Sequence, residues 1–235
     1  MSFRRLIRAG LIVLGAQFGC NKPPKSTANV VNPEHILKVS KFRSCCGHNY
    51  STEGARSMKH YFNARPNFAN ANNELAVYAP FDGSVVSLEE ENQRLDCFGG
   101  VKRGLTVRIA SKENPNYYVR LFHINPTIDL GDVNAGDVVG YADLRQCKEK
   151  QSNEVASFTG PFDVSVEGPT NDMISIFEEF DSQVMDEWGA RGLTRENIYI
   201  SKATRDENPC SFTADRCALD TLCLNGETCP LQSDD

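Results

Sequence analysis

The chain has 235 residues, of which 40% are hydrophobic and 24% charged, and its formal net charge is -6. This length suits one domain of ordinary size with a smaller appendage. An acidic balance lacks the basic field that non-specific nucleic-acid binding requires, so we expect no nucleic-acid partner. The sequence has no run of eighteen or more apolar residues, which predicts that no helix of the mature protein spans a membrane.

The N-terminus predicts a signal for export. Three arginines within the first eight residues precede a short apolar stretch at residues 10–18, which ends in a small residue before Cys20. This arrangement resembles a bacterial lipoprotein signal and implies lipidation of Cys20, with the lipid anchor as the chain's contact with the membrane. A plain secretory signal is the alternative, because Gln17 stands where lipoprotein signals prefer leucine. Both interpretations assign residues 1–20 to a signal peptide and place the protein in the periplasm or on the outer face of a bacterial membrane.

The cysteines predict a disulfide framework, since an exported protein matures in an oxidising compartment. If Cys20 carries a lipid, eight cysteines remain, which is an even number. The sequence does not determine their pairing. We expect the last four to bond among themselves and the others to hold the core domain. The nine cysteines are Cys20, Cys45, Cys46, Cys97, Cys147, Cys210, Cys217, Cys223 and Cys229.

Residues 21–41 are predicted to be a tether, because their first part is polar and contains prolines. Residues 42–168 form the predicted core domain. Its first part, residues 42–73, has weak periodicity and reads as a long loop that cross-links through Cys45 and Cys46 would pin.

The rest of the core domain shows β-type alternation interrupted by glycine. The Asp82-Gly83 pair is a hairpin turn signal between the first two of these strands. Together the pattern predicts a mainly β fold, a curled antiparallel β-sandwich. The predicted strands are residues 75–79, 84–88, 105–110, 117–122, 133–141 and 161–167.

Two further segments follow the core domain. Apolar residues at three- and four-residue spacing from Met173 to Trp188 predict one amphipathic helix, within a segment 169–207 that packs on the core. The tail, residues 208–235, is predicted to be a small disulfide-rich unit. Zinc binding by the tail is the alternative, although it has no histidine and no paired two-residue cysteine spacing.

Five residues are candidates for chemistry. Asp163, Ser165 and Glu167 alternate along one strand, so they share a face and are predicted to line a groove. His123 lies in the middle strand and, by alternation, shares the face of Leu121. A partly buried structural histidine is the alternative interpretation there. His60 precedes the core strands and is the fifth candidate.

Several motifs resemble the lysostaphin-type zinc endopeptidases of bacterial cell walls. The resemblance covers about half of the chain, from about residue 55 to 168. The matching pieces are residues 79–86 (APFDGSVV), 118–124 (YVRLFHI) and 131–142 (GDVNAGDVVGYA), and residues 160–167 (GPFDVSVE) stand where that family has a His-x-His strand.

The resemblance implies a lysostaphin-type fold. It also allows the zinc ligands of that family to be compared with the residues of this chain. In that family zinc is held by an early histidine, an aspartate four residues later and the second histidine of the late pair. His60 matches the early ligand and His123 the middle-strand histidine that assists the attacking water, but Ala64 occupies the aspartate position. The late pair is missing, because Pro161, Asp163, Ser165 and Glu167 lie on that face of the strand and either register replaces both histidines. The remaining metal ligands are His60 and Asp163, with Glu167 as a third, an oxygen-rich set that binds zinc less tightly than imidazoles do.

This incomplete set predicts loss of the peptidase site, and zinc is not the favoured cofactor. The resemblance then implies a non-catalytic envelope protein that binds peptidoglycan or regulates a wall hydrolase. His123, Asp163, Ser165 and Glu167 would contact the ligand. One alternative is a zinc-dependent peptidoglycan endopeptidase, with His60 and Asp163 as ligands and His123 assisting. The other is a purely structural envelope lipoprotein.

Overall fold

The computed structural model describes residues 22–90, 104–149, 155–170 and 172–229. The predicted signal peptide, Cys20 and Cys97 lie outside these ranges. In the part of the chain that is described, no helix is long and apolar enough to cross a lipid bilayer.

The described strands form one eleven-stranded sheet and one separate two-stranded hairpin, and every strand pair is antiparallel. The prediction of a mainly β, antiparallel fold is confirmed. The strands are β1 Ile36–Ser40, β2 His60–Ala64, β3 Ala76–Tyr78, β4 Gly83–Glu90, β5 Leu105–Ser111, β6 Tyr118–Pro126, β7 Gly131–Val133, β8 Val138–Ala142, β9 Arg145–Glu149, β10 Val155–Thr159, β11 Phe162–Glu167, β12 Met173–Ile174 and β13 Thr221–Cys223. The main path of the large sheet runs β13-β1-β2-β11-β6-β5-β4-β7, while β12 pairs with β11, β8 pairs with β3 and β6, and β9 and β10 form the hairpin.

The described helices are short and follow the strands. They are α1 Ile176–Glu179, α2 Ser182–Gly189, α3 Lys202–Glu207 and α4 Ala214–Leu219, with 3-10 turns at Pro33–His35, Pro66–Phe68 and Leu224–Gly226. The single amphipathic helix predicted from residue 173 onward is therefore divided between β12, α1 and α2. The break has a local cause, because the Asp181 carboxylate accepts a hydrogen bond from the Val184 backbone N–H and starts a new helix.

The segment predicted as a tether is part of the folded domain. β1 lies between β2 and β13, and Val30 and Val31 are fully buried. The Ser26 backbone N–H donates to the Glu179 carbonyl at 2.9 Å. The polar composition of residues 21–29 masked the apolar positions that follow, and burial of those positions stabilises the segment against the sheet.

The Asp82-Gly83 pair does not make the predicted hairpin. β3 pairs with β8, while β4 pairs with β5 and β7, so the two strands on either side of this turn are not partners. Glycine is required at position 83 for a different reason. A Cβ atom there would lie 2.2 Å from the Ala110 carbonyl oxygen, so the absence of a side chain permits a close approach of two strands.

The central strand β11 has two different faces. Its apolar face carries Phe162, Val164 and Val166, all buried in the core. Helices α1 and α2 cover this face with Phe177 and Trp188, whose ring centroids lie 5.3 Å apart. The opposite face carries Asp163, Ser165 and Glu167, which are also buried. A strand with burial on both faces places polar side chains in the interior, where they need partners.

The cysteine tail is not self-contained. Disulfides join Cys45 to Cys210 and Cys46 to Cys217, and one bond, Cys223–Cys229, stays within the tail. The expected pairing of the last four cysteines among themselves is wrong for the first two of these bonds. The physical reason is that β13 adds to the edge strand β1 and brings the tail beside the loop at residues 45–46.

Candidate functional site

A cavity of about 290 Å³ opens at one end of the polar face of β11. We call it the groove. β11 supplies Asp163, β2 supplies Tyr61 and Asn63, and β6 supplies His123. The loop before β2 supplies His48 and the Cys46–Cys217 disulfide. The remaining lining residues are Lys38, Ser40, Gly47, Gln146, Phe158, Pro161 and Thr221.

Strand register decides which side chains face the groove. Asp163 pairs with Tyr61 of β2 and with Phe122 of β6, and directly opposed residues point to the same face. Because side chains alternate along a strand, Lys59 and Asn63 lie on this face with Tyr61. His60 pairs with Val164, so it belongs to the opposite, apolar face.

Asp163 of the groove lining belongs to a buried ion pair with Lys59, which lies behind the lining. Lys59 Nζ lies 3.3 Å from Asp163 Oδ2, with the two residues 3% and 2% exposed. The ammonium also lies over the rings of Phe122 and Tyr50, at 3.5 and 4.3 Å from their centroids. The second carboxylate oxygen, Asp163 Oδ1, is buried and has no hydrogen-bond partner among the described residues. Lys59 thus balances the charge of Asp163, and Oδ1 of this carboxylate is an acceptor without a partner among the described residues.

His123 reaches the groove through a β-bulge. It has a φ of 61°, and the pairing of β5 with β6 shifts register beside it. Leu121 and Ile124 are both fully buried in the core, while His123 Nε2 lies 3.8 Å from Asp163 Oδ2. The prediction that His123 shares the face of Leu121 is therefore wrong, because the bulge breaks the alternation.

The bulge is held from behind by the chain around Asp143. The Asp143 backbone N–H donates to the His123 carbonyl at 2.6 Å, and the buried Asp143 carboxylate is paired with Arg145 at 2.8 Å. Gly104 completes the fit, since a Cβ there would lie 2.6 Å from the His123 carbonyl carbon. These contacts fix the backbone that aims the imidazole at Asp163.

His60 is a buried structural histidine. Its Nδ1 lies 2.9 Å from the Ser40 carbonyl oxygen, which only accepts, so Nδ1 carries the proton. Nε2 then accepts from the Ser175 hydroxyl at 2.8 Å, and the ring packs edge-on against Phe177. Burial lowers the pKa of His60 to about 4.

The predicted metal pair is therefore not brought together. His60 and Asp163 lie on opposite faces of the sheet, and Ala64 follows His60 in alternation. Lys59 and Asn63 lie on the face of the groove instead. They have the same four-residue spacing as His60 and Ala64, but each stands one residue earlier in the sequence. Sequence reasoning missed both. Their alternation with Tyr61 was visible, but only the pairing with β11 shows which set faces Asp163.

Ser165 and Glu167 lie on the face of Asp163 but not in the lining of the groove as described. Glu167 Oε1 accepts from the Tyr50 hydroxyl at 2.8 Å and lies 3.6 Å from the Arg120 guanidinium. The Ser165 hydroxyl donates to the same oxygen at 3.4 Å. Burial, followed by the charge of Glu167, raises the pKa of Tyr50. This network holds the loop that carries Tyr50 against the sheet.

The loop at residues 45–48 forms one wall of the groove. Gly47 has a φ of +65°, and a Cβ there would lie 2.3 Å from Tyr61 Oη, so the loop rests directly on the tyrosine. Burial and then the charge of Lys59 lower the pKa of His48. This histidine was not among the predicted site residues, and its place follows from the disulfides that hold the loop.

A zinc ion does not fit the groove. Among the described residues, no three His, Cys, Asp or Glu side chains cluster as metal ligands would. Asp163 Oδ2 and His123 Nε2 lie 3.8 Å apart and His48 lines the same groove, but the Lys59 ammonium lies 3.3 Å from the carboxylate. A hydrolytic zinc site needs about three protein ligands and an open water position.

Comparisons with known proteins give structural likeness at low identity. No protein-family model and no curated protein matches the chain. Among solved structures, the M23 metalloprotease pseudoalterin from the deep sea is 16% identical with a TM-score of 0.36, over 63% of this chain and 74% of that one. The NMR structure of lysostaphin is 13% identical with a TM-score of 0.42, over 67% of this chain and 56% of lysostaphin. In each comparison the resemblance covers about two thirds of the length of this chain.

Proposed function

We propose that the protein is an exported, disulfide-stabilised cell-envelope protein that binds peptidoglycan in the groove without cleaving it. The observation that carries this proposal is the buried ion pair of Lys59 with Asp163 of the groove lining. Disulfides support the exported location, because they persist in oxidising compartments. Anchoring through a lipid on Cys20 is part of the proposal.

The ion pair argues against hydrolysis by a metal. Lys59 already supplies the positive charge that balances Asp163. At an effective dielectric of about 20, two like unit charges about 4 Å apart repel by about 4 kcal/mol, and a divalent ion would double this cost. A cation bound at Asp163 would meet that repulsion, and no three His, Cys, Asp or Glu side chains of the described residues converge there to offset it. The peptidase alternative therefore lacks both ligands and a suitable field.

The same geometry favours a neutral hydrogen-bond donor as ligand. Asp163 Oδ1 is a buried acceptor without a described partner, and such a group gains free energy when a donor reaches it. A cationic donor would be opposed by Lys59, whereas an amide N–H would not. The peptides and N-acetyl groups of peptidoglycan are rich in amides, so they match the groove better than a charged ligand does.

Pelleting with purified wall sacculi tests the proposal. We expect the protein to co-sediment, and Asn63→Phe, which fills the groove but keeps the ion pair, to reduce binding severalfold. Asn73→Phe is the matched control, because Asn73 is exposed and lies outside the groove. Its binding should equal that of the wild type.

Three results would overturn the proposal. Stoichiometric zinc in the purified protein together with chelator-sensitive lysis of sacculi would establish the endopeptidase. Equal sedimentation of both phenylalanine variants would show that the groove does not bind the wall. Failure to bind sacculi combined with retention of a purified wall hydrolase would instead assign the regulatory role.

A further inference from the structure

A second cavity of about 350 Å³ lies on the same face of the sheet, at the far end of β5 and β6 from the groove. Its floor is Arg108 and Tyr118, and its rim includes Val86, Asn116 and Pro169. The geometry points to a binding site for a carboxylate group, with Arg108 as the residue that holds it. The site itself is inferred from the residues of this cavity. Its assignment to peptidoglycan rests on the proposed function.

Arg108 is held in place, but no described carboxylate neutralises its charge. The guanidinium carbon lies 3.4 Å from the centroid of the Tyr118 ring, so the aromatic face supports the flat side of the group. Its Nε is buried without a hydrogen-bond partner in the described ranges. Within those ranges no carboxylate lies within ion-pair distance of Arg108. A stacked guanidinium keeps its edge N–H groups available for a ligand.

The neighbouring strand increases the need for an anion. Arg108 is directly opposite Arg120 in the pairing of β5 and β6, and like charges in this position destabilise a sheet. Arg120 has two acidic neighbours, Glu167 at 3.6 Å and Glu89 at 4.0 Å. No described acidic side chain lies within ion-pair distance of Arg108. An anion bound at Arg108 would therefore relieve the remaining repulsion.

The shape and lining favour a carboxylate with a small apolar substituent. A guanidinium edge and a carboxylate are both planar and form two parallel hydrogen bonds. The rim carries no acidic side chain among its lining residues, and Val86, which is 49% exposed, offers an apolar contact beside the arginine. A carboxylate next to a methyl-bearing carbon fits this arrangement. Peptidoglycan carries that group at the terminal alanine of its peptides, and at the lactyl ether of muramic acid where the peptide has been removed.

Titration of the purified protein by NMR or calorimetry tests the site. The probes are N-acetylmuramic acid and acetyl-D-alanyl-D-alanine, which distinguish the two sources, together with their methyl esters and inorganic phosphate. We expect at least one acid to bind and its ester to bind at least about tenfold more weakly, because hydrogen bonds to charged groups are the strong ones. Arg108→Gln should weaken the acid by a similar factor, and Arg108→Lys should recover part of it.

Arg65→Gln is the matched control, since Arg65 lies on another part of the surface and contacts Glu227. It should bind like the wild type. Equal binding of acid and ester to the wild type, tighter binding of phosphate than of either acid, or no binding of any carboxylate would each overturn the proposal. The ester comparison uses the unaltered protein, so it decides the matter even if Arg108→Gln fails to fold. Sacculus binding that survives in Arg108→Lys while the acids fail to bind would reject this site alone and leave the groove in place.

Discussion

His60 and Lys59 are adjacent residues with opposite environments. The imidazole of His60 is buried among aromatic rings on the apolar face and is hydrogen bonded at both nitrogens. The ammonium of Lys59 is buried on the polar face and is paired with Asp163. Each side chain therefore contributes to stability in a different, measurable way.

Protonation of His60 should make the fold sensitive to mild acid. The pKa is about 4 in the folded protein and about 6.5 in an unfolded chain. Between these values the unfolded state binds more protons, so the contribution of neutral His60 is complete above about pH 6.5 and is lost as the pH falls towards 4. We expect a loss of about 2–3 kcal/mol between pH 7.5 and 4.5 from this group.

Urea unfolding at the two pH values checks this, with His60→Asn as the comparison. Asparagine keeps a donor for the Ser40 carbonyl but does not titrate. The wild type should lose more of its free energy of unfolding than the variant does. An identical loss in both proteins would show that His60 does not carry the effect.

Removing one partner of the Lys59–Asp163 pair should cost more than removing both. Asp163→Asn leaves a buried ammonium and Lys59→Met leaves a buried carboxylate, and each is expected to destabilise the fold by about 3–5 kcal/mol. The double variant leaves no unpaired charge, so its loss should be smaller than either single loss and well below their sum. Denaturant unfolding of the four proteins gives the coupling energy. Simple additivity would mean that the pair is not the interaction we describe.

At the scale of elements, the sequence predicted the strands well and their register poorly. Alternation located β4, β5, β6 and β11, because buried strands need apolar residues at every second position. It did not show that Lys59, just before β2, and Asn63 within β2 share the face of Asp163, since a shift by one residue exchanges the two faces. The bulge at His123 depends on Gly104 and Asp143, which are distant in sequence, so local alternation did not reveal it.

The register of β2 predicts which two substitutions would create a zinc site in the groove. Lys59→His together with Asn63→Asp would put an imidazole and a carboxylate on the face of the sheet that carries Asp163 and His123, adding two nitrogen or oxygen donors there. We expect this variant to bind one zinc ion and to gain thermal stability when zinc is added, because a ligand that binds only the folded state stabilises it. Calorimetry and thermal unfolding measure both.

The single variant Asn63→Asp is the control, as it keeps the Lys59 ammonium. It should not bind zinc stoichiometrically. Stoichiometric zinc binding by the wild type, with an affinity equal to that of the double variant, would show that Lys59 does not exclude the metal, and it would remove the main argument against a hydrolase.

At the scale of the whole molecule, the two ends of the described chain close the sheet together. β13 from the tail pairs with β1, which composition had assigned to a tether, and the Cys45 and Cys46 bonds cross beside this edge. The tether was predicted from the average polarity of the segment. Average polarity contains no information on contacts between residues about 170 positions apart in the sequence. The even number of cysteines predicted cross-links, but the partners depended on this closure.

The two crossing disulfides should act non-additively. Cys45–Cys210 alone closes a loop of 165 residues, which restricts the unfolded chain by about 5 kcal/mol. Once it is formed, Cys46–Cys217 closes a loop of only about eight residues, worth about 2.5 kcal/mol. Removing either bond as a pair of alanines should therefore cost about 2–3 kcal/mol, because the other bond still joins the same two regions.

Removing both bonds should cost about 7–8 kcal/mol, which exceeds the sum of the single losses and approaches the whole stability of an ordinary domain. We expect each double-alanine variant to fold and the quadruple variant to be largely unfolded at 25 °C, as measured by circular dichroism and urea titration. The Cys223–Cys229 bond is the internal control, since it spans six residues within the tail and its removal should leave the long-range constraint intact. A quadruple variant whose loss equals the sum of the two single losses would show that the bonds constrain separate parts of the chain, contrary to the closure of the sheet by β1 and β13.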